Sequence, residues 1–355
     1  MRVLYFHQYF SSPKGAAPVR SYQMARRLVD RGHEVTVVCG NTLVGDTGIK
    51  TPFERGRREG IIDKIRVIEL DLAYRNELSF LQRALVFLRF SMKSVGIALR
   101  EPYDVILASS TPPTVAIPGI VARWLRGKPF VFEVRDLWPE LPKAMGVIKS
   151  RPLLWALGAL EWLSYRSAKR LIALAPGIKD GILRRGIDPE RVTVIPNSID
   201  HSVFTDADRE PWTPEGIGPE DFVALYAGTH GRANGLDAIL DAAAELKRRD
   251  RADIKILFVG DGAVKDDLVA RAQAEDLDGV IFLPRTPRAE VNGLYSRADV
   301  GLQTLADIPA FYYGTSPNKF FDYIAAGLPV LNNYPGWLAD MIEREQCGFA
   351  VAPGD

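Results

Sequence analysis

Two short segments of this 355-residue chain carry residue types whose spacing can do chemistry on a phosphate. In Tyr226-Ala-Gly-Thr-His-Gly-Arg-Ala-Asn-Gly-Leu236 a predicted strand runs into a glycine-studded turn and then a helix. Gly228, Gly231 and Gly235 let the backbone approach a ligand closely, the helix N-terminus offers free N–H groups to an anion, and Arg232 adds a full positive charge. The same turn would also serve as a plain connection between strand and helix. In Ser316-Pro-Asn-Lys-Phe-Phe-Asp-Tyr-Ile-Ala-Ala-Gly-Leu-Pro-Val330, Pro317 stands where a helix begins and Gly327 where it ends. Lys319 and Asp322 are three apart and share a face, so they suit a diphosphate and a ribose diol, or simply an ion pair on a solvated face. Asp276 and Asp278 form an Asp-x-Asp pattern, but their short polar connector before a strand reads as a solvated turn. Only Cys39 and Cys347 are present, with no Cys-x-x-Cys pair and no histidine cluster, so neither a metal nor a cofactor is expected. That usage suits a reducing compartment, the cytoplasm.

The elements that must position these residues follow one pattern twice. Short β-branched runs alternate with helical stretches, as in parallel sheets covered on both faces. The first half predicts strands at Val3–Phe6, Glu34–Cys39, Val67–Leu70, Val105–Ser109, Phe130–Val134, Leu171–Ala175 and Val192–Ile195. Helices fill Arg20–Arg31, Ser79–Arg100, Thr114–Arg126, Pro152–Lys169 and Gly177–Arg185. After a connector around Arg209 to Asp221 the pattern restarts, with strands at Phe222–Tyr226, Lys255–Val259, Val280–Leu283, Val300–Gln303 and Pro329–Asn332. The expected fold class is α/β, with two facing doubly wound domains, residues 1–200 and 201–355, and a ligand cleft between the carboxyl ends of their sheets. The opening Met-Arg-Val-Leu-Tyr-Phe run is too short for a signal peptide and reads as a strand, while Val351-Ala-Pro-Gly-Asp355 reads as a truncated end, short of a last helix. Residues 1–200 carry 31 basic against 19 acidic side chains, and residues 201–355 carry 14 against 25. A basic first half suits an anionic surface or a phosphate-bearing substrate; its scattered cations, without a reading helix or zinc finger, argue against nucleic acid.

The two segments together resemble bacterial glycosyltransferases of family 4, which have the GT-B fold. The resemblance extends to Val194-Ile-Pro-Asn-Ser-Ile-Asp200, Phe258-Val-Gly-Asp-Gly262, Tyr295-Ser-Arg-Ala-Asp-Val300, Ala326-Gly-Leu-Pro-Val330, Gly32-His-Glu-Val35 and Val134-Arg-Asp-Leu-Trp-Pro-Glu140, and so spans nearly the whole chain. The last of these, with Ser-Pro-Asn-Lys-Phe-Phe-Asp-Tyr, resembles the members that build O-antigen, capsule or exopolysaccharide. The resemblance implies that residues 201–355 bind a nucleotide-sugar donor, usually a UDP-sugar. Arg232 and Lys319 would hold the diphosphate, assisted by Gly228, Thr229, Asn318 and the N–H groups from Gly231 to Gly235. Asp322 would hold the ribose, and Pro284 with Arg285 would meet the nucleobase. In the first half the loop Gly15 to Ala17 would face donor and acceptor, with Arg20 opening the next helix. Asp136 stands where many members have a histidine near the reacting sugar. Two positions depart from the family pattern: Gly314 replaces a glutamate eight residues before Asp322, and Asn234 replaces a lysine, with Arg232 as its substitute.

In the scheme the resemblance implies, transfer is retaining and metal-independent, with catalytic parts for Asp136, Arg232 and Lys319. Residues Phe80, Leu81, Ala84, Leu85, Leu88, Met92, Val95 and Leu99 share one face of the Leu78–Arg100 stretch, with Arg89, Lys93 and Arg100 opposite. Such a basic amphipathic helix lies in a membrane interface or packs on its own sheet. With the Trp-rich Pro152–Tyr165 stretch it predicts peripheral attachment at the inner face of the cytoplasmic membrane and a polyprenyl-diphosphate-linked acceptor. A sugar-nucleotide 2-epimerase of the same architecture and a non-catalytic partner subunit are the alternatives. Neither half has the Gly-x-Gly-x-x-Gly that a dinucleotide enzyme needs after its first strand.

Overall fold

The structure, a computed structural model, describes residues 1–15, 19–42, 45–75, 78–199, 211–286 and 288–355. It divides into two compact units, Met1–Pro196 with Gly314–Ser316, and Asn197–Tyr313 with Pro317–Asp355. The expected boundary at residues 200 and 201 lies outside the described residues, as do Ala16 and Ala17.

In the first unit the elements run β1 (Arg2–Phe6), α1 (Arg20–Asp30), β2 (Glu34–Thr42), β3 (Arg57–Ile62), β4 (Ile65–Tyr74), α2 (Phe80–Arg100), β5 (Val105–Ser109), α3 (Ala116–Arg126), β6 (Phe130–Val134), α4 (Glu140–Ala144), α5 (Arg151–Ser167), β7 (Arg170–Ala173), α6 (Pro176–Leu183) and β8 (Val192–Val194). Their strand order is β3-β4-β2-β1-β5-β6-β7-β8. The central strands are continuous apolar runs because helices cover both faces; Leu4, Tyr5 and Phe6 of β1 are all buried. One strand departs from the sequence reading. β3 pairs antiparallel with β4 at the sheet edge. Its Arg57-Arg58-Glu59-Gly60 stretch gives no apolar alternation, since an edge strand keeps charge toward solvent.

Helix α2 starts on a capping box: Ser79 Oγ accepts from Gln82 N–H, and Ser79 N–H donates to Gln82 Oε1. Its inward residues are Phe90, Ser91, Ser94, Ile97 and Ala98, while Leu81, Leu85, Leu88 and Met92 of the predicted stripe are exposed. The stripe therefore does not pack on the sheet. Among the described residues, no helix is long and apolar enough to cross a membrane.

The second unit contains β9 (Phe222–Ala227), α7 (Asp237–Arg248), β10 (Ile254–Val259), α8 (Lys265–Ala274), β11 (Val280–Leu283), α9 (Arg288–Arg297), β12 (Val300–Gln303), α10 (Pro309–Tyr312), α11 (Asn318–Ala325), β13 (Val330–Asn332), α12 (Trp337–Glu345) and β14 (Gly348–Ala350). Its sheet is wholly parallel, ordered β11-β10-β9-β12-β13-β14. Tyr226, Phe258, Leu240 and Leu268 lie in one core between sheet and helices. Pro317 is the residue before α11 rather than its first, and Gly327, at φ +82°, ends the helix as expected.

Candidate functional site

In the second sheet the strand order reverses between β9 and β12, and ligands of open α/β sheets bind at the carboxyl ends beside such a point. Both sequence-predicted segments converge there. The turn Gly228–Gly235 leaves β9, and α11 follows β12. Two glycines let backbones meet. Gly235 adopts φ +57°, and a Cβ there would stand 2.6 Å from the Leu305 carbonyl oxygen; a Cβ at Gly260, φ +137°, would overlap the carbonyl of Gly228.

Lys319 Nζ donates to Tyr226 Oη at 2.8 Å and lies 3.9 Å from the centroid of that ring. Tyr226 Oη in turn donates to the Thr229 carbonyl at 2.9 Å. Helix α11 is thereby tied to the glycine turn. Burial pushes the Lys319 ammonium down to about 7, because the charged form loses hydration that no carboxylate replaces. Gly228 leaves room for this lysine: a Cβ would sit 3.1 Å from its Cε.

The other turn residues divide by role. Asn234 Nδ2 donates to the Thr229 carbonyl at 2.8 Å, and Thr304 Oγ1 donates to the Asn234 carbonyl at 2.8 Å, so Asn234 closes the turn. Arg232 is exposed at the start of a single 3-10 turn, and among the described residues its guanidinium has no ion-pair partner. Asn318 opens α11, and Asp322 lies half-buried one turn on. Pro284 and Arg285 are exposed just past β11, whose last carbonyl, Leu283, accepts from Lys265 Nζ at 2.8 Å. Gly314 falls in the segment between α10 and α11. Asp276 and Asp278 lie elsewhere, at the amino end of β11, where Lys247 Nζ holds the Glu275 and Asp276 carbonyls at 2.9 Å each.

Sequence reasoning missed Tyr226 and His230. His230 is fully buried among Tyr226, Phe258 and Phe282, and neither ring nitrogen has a hydrogen-bond partner among the described residues. Burial, reinforced by Lys265, pushes its pKa down to about 4, so the ring is neutral. The signal was a histidine in an otherwise small-residue turn.

In the first unit the order reverses between β1 and β5. Arg20 opens α1 as expected, but its guanidinium is buried: it pairs with Glu133 at 2.8 Å and donates to the Ile195 and Pro196 carbonyls at 2.8 and 2.6 Å. Glu133 also accepts from Ser109, which is 2.9 Å from the Tyr5 hydroxyl. Arg20 is thus a clamp across the unit. Gly15 N–H donates to the Ser12 carbonyl at 3.1 Å, holding that side of the loop close to Ser11. Asp136, two residues past β6, is half-buried, and burial raises its pKa against the lowering effect of Arg135. Beside it, Arg135 Nη1 lies 3.3 Å from His7 Nε2, and His7 Nδ1 lies 2.8 Å from Ser21 Oγ. Neither His7 nor Arg135 was given a role from the sequence: Arg135 lies inside the Val134–Glu140 motif, but its partner His7 is 128 residues away and in no motif.

A family model described as a glycosyl transferase 4-like domain matches residues 15–198, and one described as glycosyl transferases group 1 matches residues 210–355. The probable glycosyltransferase WbjE of Pseudomonas aeruginosa is 29% identical over 273 residues, covering 75% of this chain. The chain spans 66% of that relative, just under two-thirds of its length. Among solved structures, sucrose-phosphate synthase from Thermosynechococcus elongatus superposes with a TM-score of 0.71 at 17% identity, covering 100% of this chain and 86% of that one. HepE of Anabaena, in complex with UDP and glucose, gives 0.65 at 20% identity with the same coverage. The chain belongs to the glycosyl transferase 4-like family, bacterial glycosyltransferases of family 4, and its two parallel-sheet α/β domains are of the GT-B fold class.

Proposed function

We propose that the chain is a hexosyltransferase that moves a sugar from a nucleotide donor, a UDP-sugar, to a lipid-linked saccharide in the synthesis of a surface polysaccharide. The observation that carries this reading is the meeting of Lys319 with the Gly228–Gly235 turn through Tyr226, which puts a desolvated ammonium at that glycine turn. Such an arrangement stabilises the charge that develops on a departing diphosphate. Arg232 and Lys319 bind the diphosphate, with Gly228, Thr229, Gly231 and Asn318 assisting. Asn234 and Gly235 shape the turn, Asp322 holds the ribose, and Pro284 with Arg285 holds the base. In the first unit Asp136 orients sugar hydroxyls. Two cations at one diphosphate remove the need for a metal, and the acceptor hydroxyl enters on the face the diphosphate leaves, with retention. UDP bound in HepE supports the donor class.

The acceptor is a sugar on a polyprenyl diphosphate, met at the cytoplasmic face of the membrane. The outward stripe of α2 supports this, together with Trp124 and Leu125 of α3 and Trp155 and Trp162 of α5, all exposed on helices packed side by side. Arg89, Lys93, Arg123 and Arg166 are exposed on the same helices. Indole rings and cations around an apolar patch suit an anionic interface.

UDP-, GDP- and TDP-sugars are screened for thermal stabilisation, then incubated with and without a lipid-linked acceptor. UDP-sugar stabilisation and acceptor-dependent release of UDP are expected. Conversion of the UDP-sugar without acceptor would identify an epimerase, and absence of turnover with bound donor a partner subunit.

A further inference from the structure

We propose that the Arg135 guanidinium, held in place by the His7 imidazole, binds the phosphoryl group of the lipid-carried acceptor. The inference rests on the glycosyl-transfer reading and names a contact at the acceptor end of that reaction.

The pair lies at the carboxyl ends of the strands beside the reversal of the first sheet: His7 follows β1, at the reversal, and Arg135 follows β6, on the far side of β5. Arginine only donates, so His7 Nε2 is the acceptor at 3.3 Å, and Nδ1 carries the proton toward Ser21 Oγ at 2.8 Å. Burial, then Arg135 and Arg20, keep the imidazole neutral. His7 therefore aims the guanidinium without cancelling its charge. Of the carboxylates nearby, Glu133 is already bound by Arg20 and Ser109, and Asp136, the next residue, feels the Arg135 charge but makes no ion pair with it. Among the described residues no carboxylate comes within ion-pair distance of Arg135, and a half-buried cation left this way calls for an external anion. Gln8, next to His7, is fully buried with both amide atoms unpaired, so further polar capacity is unspent there.

Two chains of contact join this pair to the outward apolar helix. Rings step from His7 to Tyr9, on to Tyr74 at 5.1 Å, and to Phe87 of α2 at 5.6 Å. Arg135 N–H donates to Ser110 Oγ, and four residues on, the Thr114 carbonyl accepts from Ser91 Oγ of α2 at 2.7 Å. An amphiphile whose chain lies on the α2 stripe would thus bring its phosphate toward Arg135. The donor diphosphate has its own cations, Arg232 and Lys319, in the other unit.

Farnesyl diphosphate, inorganic pyrophosphate and UDP are titrated into the full chain and its R135Q, R135K, H7L and H7Q variants, with thermal shift and calorimetry as readouts. Farnesyl diphosphate is expected to bind the wild type more tightly than pyrophosphate. R135Q should weaken it about ten-fold or more, R135K less, and H7L several-fold, with H7Q recovering most of the loss because its amide oxygen still accepts. An unchanged UDP affinity in every variant shows that folding and the donor site survive. Unaltered farnesyl diphosphate binding in R135Q would overturn the proposal, as would an equal loss of UDP, which would give Arg135 to the donor. Pyrophosphate binding as tightly as farnesyl diphosphate would overturn the lipid-carried source. A wild type that ignores UDP but binds farnesyl diphosphate through Arg135 would reject the donor assignment and leave this contact standing.

Discussion

Lys319 Nζ lies 2.8 Å from the hydroxyl oxygen of Tyr226, and this bond joins a helix that follows β12 to a turn that leaves β9, 93 residues earlier. The ammonium is held at about 7 in the ligand-free protein, well below the usual lysine value near 10.4. A bound diphosphate favours the charged form. UDP binding should therefore take up a proton: little below pH 6, where Lys319 is already charged, and close to one near pH 8.5. Calorimetry in buffers of different ionisation enthalpy measures this, and uptake independent of pH would contradict it. Lys319→Ala should abolish the uptake and weaken UDP binding about 10- to 100-fold, the usual range for a hydrogen bond to a charged group.

The same depression has a consequence for stability. Between about pH 7 and 10 the unfolded chain binds a proton at this position that the folded protein lacks, so Lys319's contribution to stability rises with pH across that window. Lys319→Met removes the desolvated ammonium. Its melting temperature should exceed that of the wild type most clearly below pH 7, with the gap narrowing as pH rises; a gap that widens with pH would reverse the assignment.

Arg232 and Asn234 should separate cleanly. Arg232 is exposed, so Arg232→Ala should change stability by no more than about 0.5 kcal/mol while lowering UDP affinity about ten-fold. Asn234 bonds the Thr229 carbonyl, so Asn234→Ala should destabilise by about 1 kcal/mol. Melting temperature and UDP affinity on both variants check this, and equal losses of affinity without loss of stability would refute the division.

How much was legible in the sequence follows from the range over which each signal acts. The strands from Val3 to Leu283 could be read because parallel strands buried on both faces are continuous apolar runs. β3 could not, since an edge strand is solvated and its Arg57-Arg58-Glu59 is as polar as a loop. In the site, glycines and cations close in sequence announced themselves as Gly228, Arg232 and Lys319. Tyr226 looked like any strand aromatic, and its role appears only when α11 brings Lys319 to its hydroxyl. The α2 stripe was recognised, but periodicity says which residues share a face and is silent on which way it points. Phe90 and Ile97, outside the stripe, form the buried side.

Arg20 and Glu133 make a buried ion pair with side-chain exposures of 8% and 1%. Its strength lies in completeness: the guanidinium also satisfies two carbonyls past β8, and Glu133 accepts from Ser109. Removing one partner leaves a buried charge uncompensated, so Glu133→Ala should destabilise the first unit by about 3–5 kcal/mol. Denaturant unfolding followed by probes in each unit tests this, since two units need not unfold together. A loss under about 1 kcal/mol would mean that water replaces the pair.

The α2 stripe gives the sharpest test of membrane contact, because its two sides predict opposite failures. Leu81 is 78% exposed and Met92 59%, whereas Phe90 is fully buried. Leu81→Glu with Met92→Glu should leave the melting temperature within a degree or two and weaken partition into vesicles of anionic phospholipid about 100-fold, since each apolar side chain moved from water into the interface is worth about 1.5–3 kcal/mol. Phe90→Glu should instead unfold the first unit, as it buries an unpaired carboxylate. Raising salt should weaken wild-type binding through Arg89 and Lys93 without abolishing it, because apolar insertion is not screened. Vesicle co-sedimentation at low and high salt measures the partition, and thermal melting the folding of each variant. Wild-type binding that vanished at high salt would reduce the contact to surface charge alone, and binding unaffected by the double substitution would remove α2 from the interface.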